Sequence, residues 1–93
     1  MKIRKELRWF ACAMERKLRA NDFKGGWEDM TRDALFAELR GEVDELRFAL
    51  KVAGKADALR RNPPKSVLED IINECADVAN MAMMLADNSK VQP

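Results

Sequence analysis

The sequence of 93 residues contains no histidine and no tyrosine. Histidine is a common ligand of catalytic zinc and the usual imidazole base, so its absence argues against both kinds of site. Two cysteines are present, Cys12 and Cys75, and they form no CxxC motif. We therefore expect two buried or half-buried free thiols, as in an ordinary cytosolic protein.

The sequence also lacks a long apolar run and a strong net charge. The longest apolar stretch, residues 81–86, is too short to cross a bilayer, and charged residues interrupt the N-terminal segment where a signal peptide needs an apolar run. Seventeen Lys and Arg against sixteen Asp and Glu give a net charge of +1, which argues against binding to nucleic acid or an anionic membrane. These absences predict a cytoplasmic protein that binds neither nucleic acid nor a membrane.

The residues that are present predict helices. Apolar residues recur at helical spacing over 3–19, from Thr31 to about 51–53, and over 66–87. We therefore expect an all-α fold, a compact antiparallel or orthogonal bundle of three main helices completed by oligomerisation. The bundle would form a single domain over 1–93.

Local signals place the helix ends. Thr31 is a good N-cap for the second helix, and Ser66 with Glu69 forms a capping box for the third. The pair Pro63-Pro64 excludes a continuous helix between the two. Residues 88–93 are expected to be a frayed tail.

The second half of the third helix, residues 78–86, is apolar on nearly every side apart from Asn80. Such a helix needs more apolar partners than two short neighbours can supply. This pattern predicts self-association into a homodimer or a dimer of dimers.

The second helix carries Glu38, Glu42 and Glu45 at spacings of four and three, which places them on one face. The acids lie at the border of the predicted buried face, where charge is unfavourable. Gly41, in the middle of this helix, costs up to about 1 kcal/mol relative to alanine and suggests close packing or the approach of a ligand. The predicted apolar stripe consists of Leu35, Leu39, Val43, Leu46 and Leu50.

The third helix repeats this arrangement with Asp70, Glu74 and Asp77. In antiparallel helices, the pair Glu42 and Glu45 would face Glu74 and Asp77. Two carboxylates about 5 Å apart repel by roughly 3 kcal/mol at an effective dielectric of about 20, so four together would consume much of a small domain's stability. Divalent cations remove this cost, and an all-oxygen ligand set selects Mg²⁺, Mn²⁺ or Ca²⁺. The alternative is that the acids reach water or pair with nearby arginines.

Two further groups of residues have two interpretations each. Trp27, beside Gly25-Gly26, either covers the core from a loop or stacks on a planar ligand whose charge meets Lys24. The basic segment that contains Arg61 and Lys65 is either a solvated surface or a grip for phosphate.

The paired acidic motifs resemble a known family. Glu42-Val-Asp-Glu45 and Glu74-Cys-Ala-Asp77 are similar to the ExxE…ExxD signature of the MazG-like all-α nucleoside triphosphate pyrophosphohydrolases. Gly25-Gly-Trp27 and the Asn80-Met-Ala-Met-Met segment resemble the small phage and mobile-element members. The resemblance covers roughly residues 24–87.

The resemblance implies an enzyme that uses Mg²⁺, with Mn²⁺ as the alternative, to hydrolyse a (deoxy)nucleoside triphosphate. Water would attack the α-phosphorus and pyrophosphate would leave. The implied metal ligands are Glu42, Glu45, Glu74 and Asp77. The candidate substrate-binding residues are Lys24, Trp27, Arg61, Lys65 and Asn80.

The chain departs from the family pattern at one position. Many relatives have a further glutamate directly before the first motif glutamate, where this chain has Gly41. That acid has been assigned a water-activating role, so we expect Glu38, one turn earlier on the same face, to replace it. Glu38 and Glu42 are therefore the predicted catalytic residues.

The main rival prediction is a non-catalytic metal-binding module that mediates helical oligomerisation. A di-iron carboxylate bundle requires Glu-x-x-His pairs, which this chain cannot form because it has no histidine. A helical nucleic-acid-binding module fits the basic face of the first helix but not the near-neutral net charge.

Overall fold

The computed structural model describes residues 1–91, which form three α-helices and no strand. Helix α1 is Lys5–Asn21, α2 is Arg32–Ala58 and α3 is Lys65–Asp87, and a single 3₁₀ turn, Asp22–Lys24, follows α1. The predictions of an all-helical chain and of three main helices that pack together are confirmed.

The ends of the helices differ in part from the prediction. Thr31 caps α2 as expected, since its Oγ1 accepts a hydrogen bond from the backbone N–H of Ala34 at 3.0 Å. The predicted capping box at Ser66 is wrong, because α3 already begins at Lys65 behind Pro64 and no side chain caps it. Helix α2 also continues beyond its predicted end to Ala58. Its last two turns are rich in alanine, the best helix former.

Helix α3 is the central element, because it packs against both α1 and α2. Within residues 1–91 the backbones of α1 and α2 do not approach each other, so a gap lies between them with α3 as its floor. Contacts of α3 with α1 pair Asp77 with Lys17 and Asn80 with Met14, so the two helices are antiparallel. Asn88, just after α3, reaches Met30 just before α2, which makes that pair antiparallel as well.

Asn88 belongs to the segment for which a frayed tail was predicted. Its side-chain amide donates to the backbone oxygens of Trp27 at 3.0 Å and Met30 at 3.2 Å. Asn88 therefore fastens the loop between α1 and α2 to the end of α3. Residues 92–93 of the predicted tail lie outside the described residues.

The core of the described chain is small. Leu35 is its only large side chain that is completely buried, and the other residues of the buried class, several of them slightly accessible, are Ala13, Ala49, Ala53, Ala76, Asn80 and Met81. The molecule measures 54 × 33 × 23 Å with a radius of gyration of 15.5 Å. A compact chain of this length has a radius of gyration of about 12 Å. The single chain is thus more extended than the compact bundle that the sequence predicts.

The buried face of α2 is rotated relative to the predicted stripe. Val43 and Leu50 are exposed, whereas Glu42 is half-buried. The buried and half-buried positions of this helix recur at alternating spacings of four and three, and they are Leu35, Leu39, Glu42, Leu46, Ala49, Ala53 and Ala56. Glu42 therefore occupies a position in the helix–helix seam that an apolar residue would normally fill.

The buried face of α1 is confined to the C-terminal part of the helix. Ile3 and Leu7 are exposed because only the C-terminal half of α1 packs on α3. The buried and half-buried positions are Phe10, Ala13, Met14, Lys17, Leu18 and Asn21. Cys12 falls outside this face and is exposed, contrary to the expectation, whereas Cys75 is half-buried as expected.

The interpretation of Gly41 as a point of close packing is wrong. A Cβ atom added at Gly41 meets nothing within 4 Å, so the position faces open space. Gly25, in contrast, has a φ of +89°, a conformation that residues with a Cβ rarely adopt.

We expect Gly41→Ala to raise the free energy of unfolding by about 0.5–1 kcal/mol, because alanine is the better helix former and meets no obstacle here. Gly25→Ala should lower the free energy of unfolding. Urea denaturation of both variants measures the difference. A destabilised Gly41→Ala variant would show that this face of α2 is covered.

Candidate metal centre and adjoining cavity

Four carboxylates meet where α2 crosses α3. One carboxylate oxygen from each of Glu42, Glu45, Glu74 and Asp77 lies within 4.8 Å of one from each of the others. On each helix the two acids are three residues apart and so share a face, and the antiparallel packing brings the two faces together. The four residues predicted as metal ligands are therefore assembled into one cluster, which we call the acidic cluster.

The acidic cluster is electrostatically strained. Glu42 Oε2 and Glu74 Oε2 are buried and have no hydrogen-bond partner within the described protein. Burial, followed by the negative charge of Asp77, raises the pKa of Glu42 from 4.5 to about 7. Burial and the charges of Glu45 and Asp77 also raise the pKa of Glu74. At neutral pH and without a cation, Glu42 therefore keeps its proton in a share of the molecules, whereas an isolated carboxylate would lose it.

Lys17 of α1 is the cation that reaches the acidic cluster. Its Nζ lies 3.3 Å from Asp77 Oδ2, and the two side chains are 32% and 19% exposed. Its charge also lowers the pKa of Glu74, in opposition to the larger effects that raise it. Lys17 was not among the site residues predicted from the sequence. The signal that could have found it is its spacing of three or four residues from Ala13, Met14 and Asn21.

The donor set suits a hard divalent cation. All four donors are carboxylate oxygens, which Mg²⁺, Mn²⁺ and Ca²⁺ prefer. Mg²⁺–oxygen bonds of about 2.1 Å separate opposite ligands by about 4.2 Å. The 4.8 Å spread of the cluster is therefore close to what one ion requires. The two buried carboxylate oxygens without partners are the atoms that would gain most from a cation.

A cavity of about 270 Å³ adjoins the acidic cluster in the gap between α1 and α2. Glu42 and Asp77 belong to both, so a molecule in the cavity would lie directly against the cluster. The remaining walls come from α1, the loop after it and the C-terminal half of α3. They include Lys17, Asn21, Lys24, Trp27, Met30, Glu38, Asn80, Met81 and Met84.

Asn80 presents an unsatisfied acceptor in the wall of this cavity. The residue is 4% exposed, and its Nδ2 donates to the backbone oxygen of Met14 at 3.0 Å. That hydrogen bond fixes the orientation of the side-chain amide. It leaves Oδ1 buried without a partner in the described protein. A buried polar atom of this kind is normally paired with a donor, so the unpaired Oδ1 carries a cost in free energy within the described protein.

Trp27 holds the loop and lines the cavity at once. Its indole N–H donates to Asp87 Oδ2 at 3.0 Å, and its ring forms part of the cavity wall. Hydrogen bonds from Lys90 and Trp27 lower the pKa of Asp87 and so keep this acceptor ionised. The structure is compatible with both interpretations of Trp27, as a loop residue that covers the core and as a stacking surface for a ligand. The residue anchors the loop and also offers an aromatic surface to the cavity.

The remaining predicted residues divide into two groups. Glu38 and Lys24 are exposed but line the cavity, and Lys24 Nζ lies 5.8 Å from the centre of the Phe23 ring. Among the described residues the cavity walls do not include Arg61 or Lys65, and Lys65 pairs with Glu69 at 3.7 Å. Asp70, the first of the three regularly spaced acids of α3, is not part of the acidic cluster.

Comparisons of the chain with models of known families, with curated proteins and with solved structures gave no match. The resemblance to MazG-like enzymes therefore rests on the motif residues alone. None of the helices described is both long enough and apolar enough to cross a membrane.

The raised pKa of Glu42 predicts an unusual dependence of stability on pH. The folded protein holds the proton more tightly than the unfolded chain, so this contribution to stability is complete below about pH 4.5 and is lost as the pH rises through about 7. We expect the thermal midpoint in EDTA to fall between about pH 5 and about pH 8. Glu42→Gln should remove much of this fall, and Mg²⁺ should reverse it in the wild type. A midpoint that stays level or rises over this range would contradict the description of the cluster.

Proposed function

We propose that this protein hydrolyses (deoxy)nucleoside triphosphates to the monophosphate and pyrophosphate in a reaction that depends on Mg²⁺, with Mn²⁺ as an alternative. The observation that carries the proposal is the assembly of Glu42, Glu45, Glu74 and Asp77 within 4.8 Å beside a cavity of about 270 Å³. The volume lies near the lower end of the range for small-molecule sites, about 300–1,000 Å³. It suits the nucleoside part of the substrate, while the triphosphate extends over the cluster.

The four carboxylates act by holding cations against the phosphates. Bound Mg²⁺ supplies charge neutralisation at the α-phosphate and at the pyrophosphate leaving group, and it lowers the pKa of bound water. The reaction forms one bond from a water oxygen to the α-phosphorus and breaks the bond from that phosphorus to the bridging oxygen. Phosphoryl transfer of this kind needs mainly positioning and charge stabilisation, so the absence of histidine is no obstacle.

Glu38 is the proposed base that takes the proton of the attacking water. It lies one turn before Glu42 on α2 and shares the cavity wall with it. Its exposure keeps its carboxylate accessible to water at the open edge of the cavity. In this proposal Glu38 compensates for Gly41, the position at which the chain departs from the family pattern.

The cavity walls offer suitable contacts for the nucleoside. Trp27 provides an aromatic surface against which a base can stack. Asn80 contributes to the cavity wall beside Trp27, and Lys24 provides positive charge at the cavity. These three residues account for the proposed substrate binding within a single chain.

A non-catalytic metal-binding module is the second candidate. The acidic cluster alone fits both candidates equally well. The adjoining cavity favours the enzyme, because a purely structural metal site has no use for an open pocket beside it.

We further propose that the protein acts in the cytoplasm as a homodimer or a dimer of dimers. Self-association was predicted from the apolar residues 78–86 of the third helix. In the structure, however, α3 lies between the other two helices and packs against both. Five of the thirteen exposed large apolar residues of the described chain lie on α2, and they are Phe36, Val43, Phe48, Leu50 and Val52. Together with the small core, this surface favours a second copy against α2. Arg61 and Lys65, which are remote from the cavity of their own chain, would then be available to the site of the partner.

Substitution within the acidic cluster tests the catalytic proposal. We expect Glu45→Gln and Asp77→Asn each to lower the rate of pyrophosphate release by more than about 100-fold, since even the outer partners of metal ligands are worth about 10–100-fold. Both variants should remain folded, because each removes a repelling charge from the cluster, and of the two only Asp77→Asn also removes the ion-pair partner of Lys17. Asp44→Asn is the matched control, since Asp44 is an exposed neighbour on α2 outside the cluster, and it should retain full activity.

The assay compares a panel of nucleoside triphosphates with and without Mg²⁺ and measures pyrophosphate separately from phosphate. Full activity of Glu45→Gln or Asp77→Asn would refute the assignment of ligands. Binding of Mg²⁺ without release of pyrophosphate from any nucleotide would favour the non-catalytic module.

A further inference from the structure

Lys17 occupies the junction between the acidic cluster and the cavity. Its ammonium lies 3.3 Å from Asp77 Oδ2, and its side chain also lines the cavity that contains Asn80 and Trp27. It is a half-buried charge on the packed face of α1, among residues that are otherwise apolar or small. Placing a charge at such a position costs free energy unless a specific partner offsets it.

The partner of Lys17 is one of the proposed metal ligands. A divalent cation at the cluster and the ammonium of Lys17 would compete for the same carboxylate of Asp77. Two cations held at one carboxylate repel each other, so binding of the divalent ion weakens the hold of Asp77 on Lys17. Lys17 must then find another anion or water.

The cavity offers a place for the displaced ammonium. A lysine side chain has four flexible carbon atoms, so its ammonium can leave Asp77 while its stem stays packed on α1. A triphosphate that bridges the cluster and the cavity would bring several negative oxygens to the region that Lys17 already lines. Lysine is a common point-charge partner of phosphate oxygens.

We propose that Lys17 is an exchangeable counter-ion, paired with Asp77 in the absence of a divalent cation and with a phosphate oxygen of the nucleotide when cation and substrate are bound. This inference rests on the proposed function of the same site. It assigns to α1 a direct part in substrate binding, although every acid of the cluster comes from α2 and α3. It also explains why a charged residue interrupts the packed face of α1.

If Lys17 exchanges partners in this way, removing its charge should strengthen the binding of the divalent cation and weaken the binding of the nucleotide. Lys17→Met keeps the length of the side chain and removes the charge. Mn²⁺ added without nucleotide should bind Lys17→Met on the order of tenfold more tightly than the wild type, since a competing cation is gone. With saturating Mg²⁺, the same variant should show a KM for nucleoside triphosphate raised on the order of tenfold and a smaller change in kcat, because a phosphate contact is lost.

Two further variants make the test specific. Lys17→Arg keeps the charge and should bind Mn²⁺ with nearly wild-type affinity. Lys5→Met removes one positive charge from the exposed start of the same helix and serves as the control for net charge. It should leave the affinity for Mn²⁺ and the KM for nucleoside triphosphate unchanged. Titration calorimetry measures the Mn²⁺ affinity, steady-state kinetics measures KM and kcat, and circular dichroism verifies that each variant is folded.

The possible results separate the inference from the proposed function. Failure of the wild type both to bind Mn²⁺ and to release pyrophosphate would overturn the proposed function, and the inference with it. A wild type that binds Mn²⁺ together with a Lys17→Met variant of equal affinity would overturn the exchange alone. Tighter Mn²⁺ binding with an unchanged KM would show that Lys17 never reaches the substrate, which also overturns the exchange. Tighter Mn²⁺ binding with a raised KM supports it.

Discussion

The mutual repulsion of four carboxylates is the constraint on which the rest of this structure depends. Glu42 occupies a seam position that would otherwise be apolar, and Glu74 and Asp77 face it from α3. Burial, followed by the charge of Asp77, raises the pKa of Glu42 to about 7, which shows that its ionised form is unfavourable here. A helical pair selected for stability alone would place leucine in that seam, and the divalent cation of the proposed function would offset the cost of the acids.

The architecture around the cluster follows from the central position of α3. Because α3 packs on both α1 and α2 while those two remain apart, the acidic cluster has an open gap beside it. Trp27 and Asn88 fasten the intervening loop across one end of this gap and give the cavity a defined wall. Lys17 enters from α1 and offsets part of the charge. Side chains from all three helices thus converge on one small volume.

The elements that could be predicted from sequence are those with local causes. Helical periodicity gave the three helices, Thr31 marked the start of α2, and the paired spacings of the acids indicated the cluster. The rotation of α2 could not be predicted, since Glu42 and Val43 compete for the seam and only packing against α3 decides between them. Lys17 was missed for a similar reason, because which side of α1 is covered depends on how far α1 overlaps α3. The close packing predicted at Gly41 was wrong, because a glycine within a helix indicates a loss of helix stability but does not show which residues surround it.

The most direct test of the central claim is anomalous diffraction from crystals grown with Mn²⁺. The structure predicts a peak of anomalous density among Glu42, Glu45, Glu74 and Asp77, with carboxylate oxygens at about 2.2 Å. With a non-hydrolysable nucleoside triphosphate present, the nucleoside should lie in the adjoining cavity against Asn80 and Trp27. Crystals in saturating Mn²⁺ that show no peak at the four carboxylates, or a peak only elsewhere, would contradict the account.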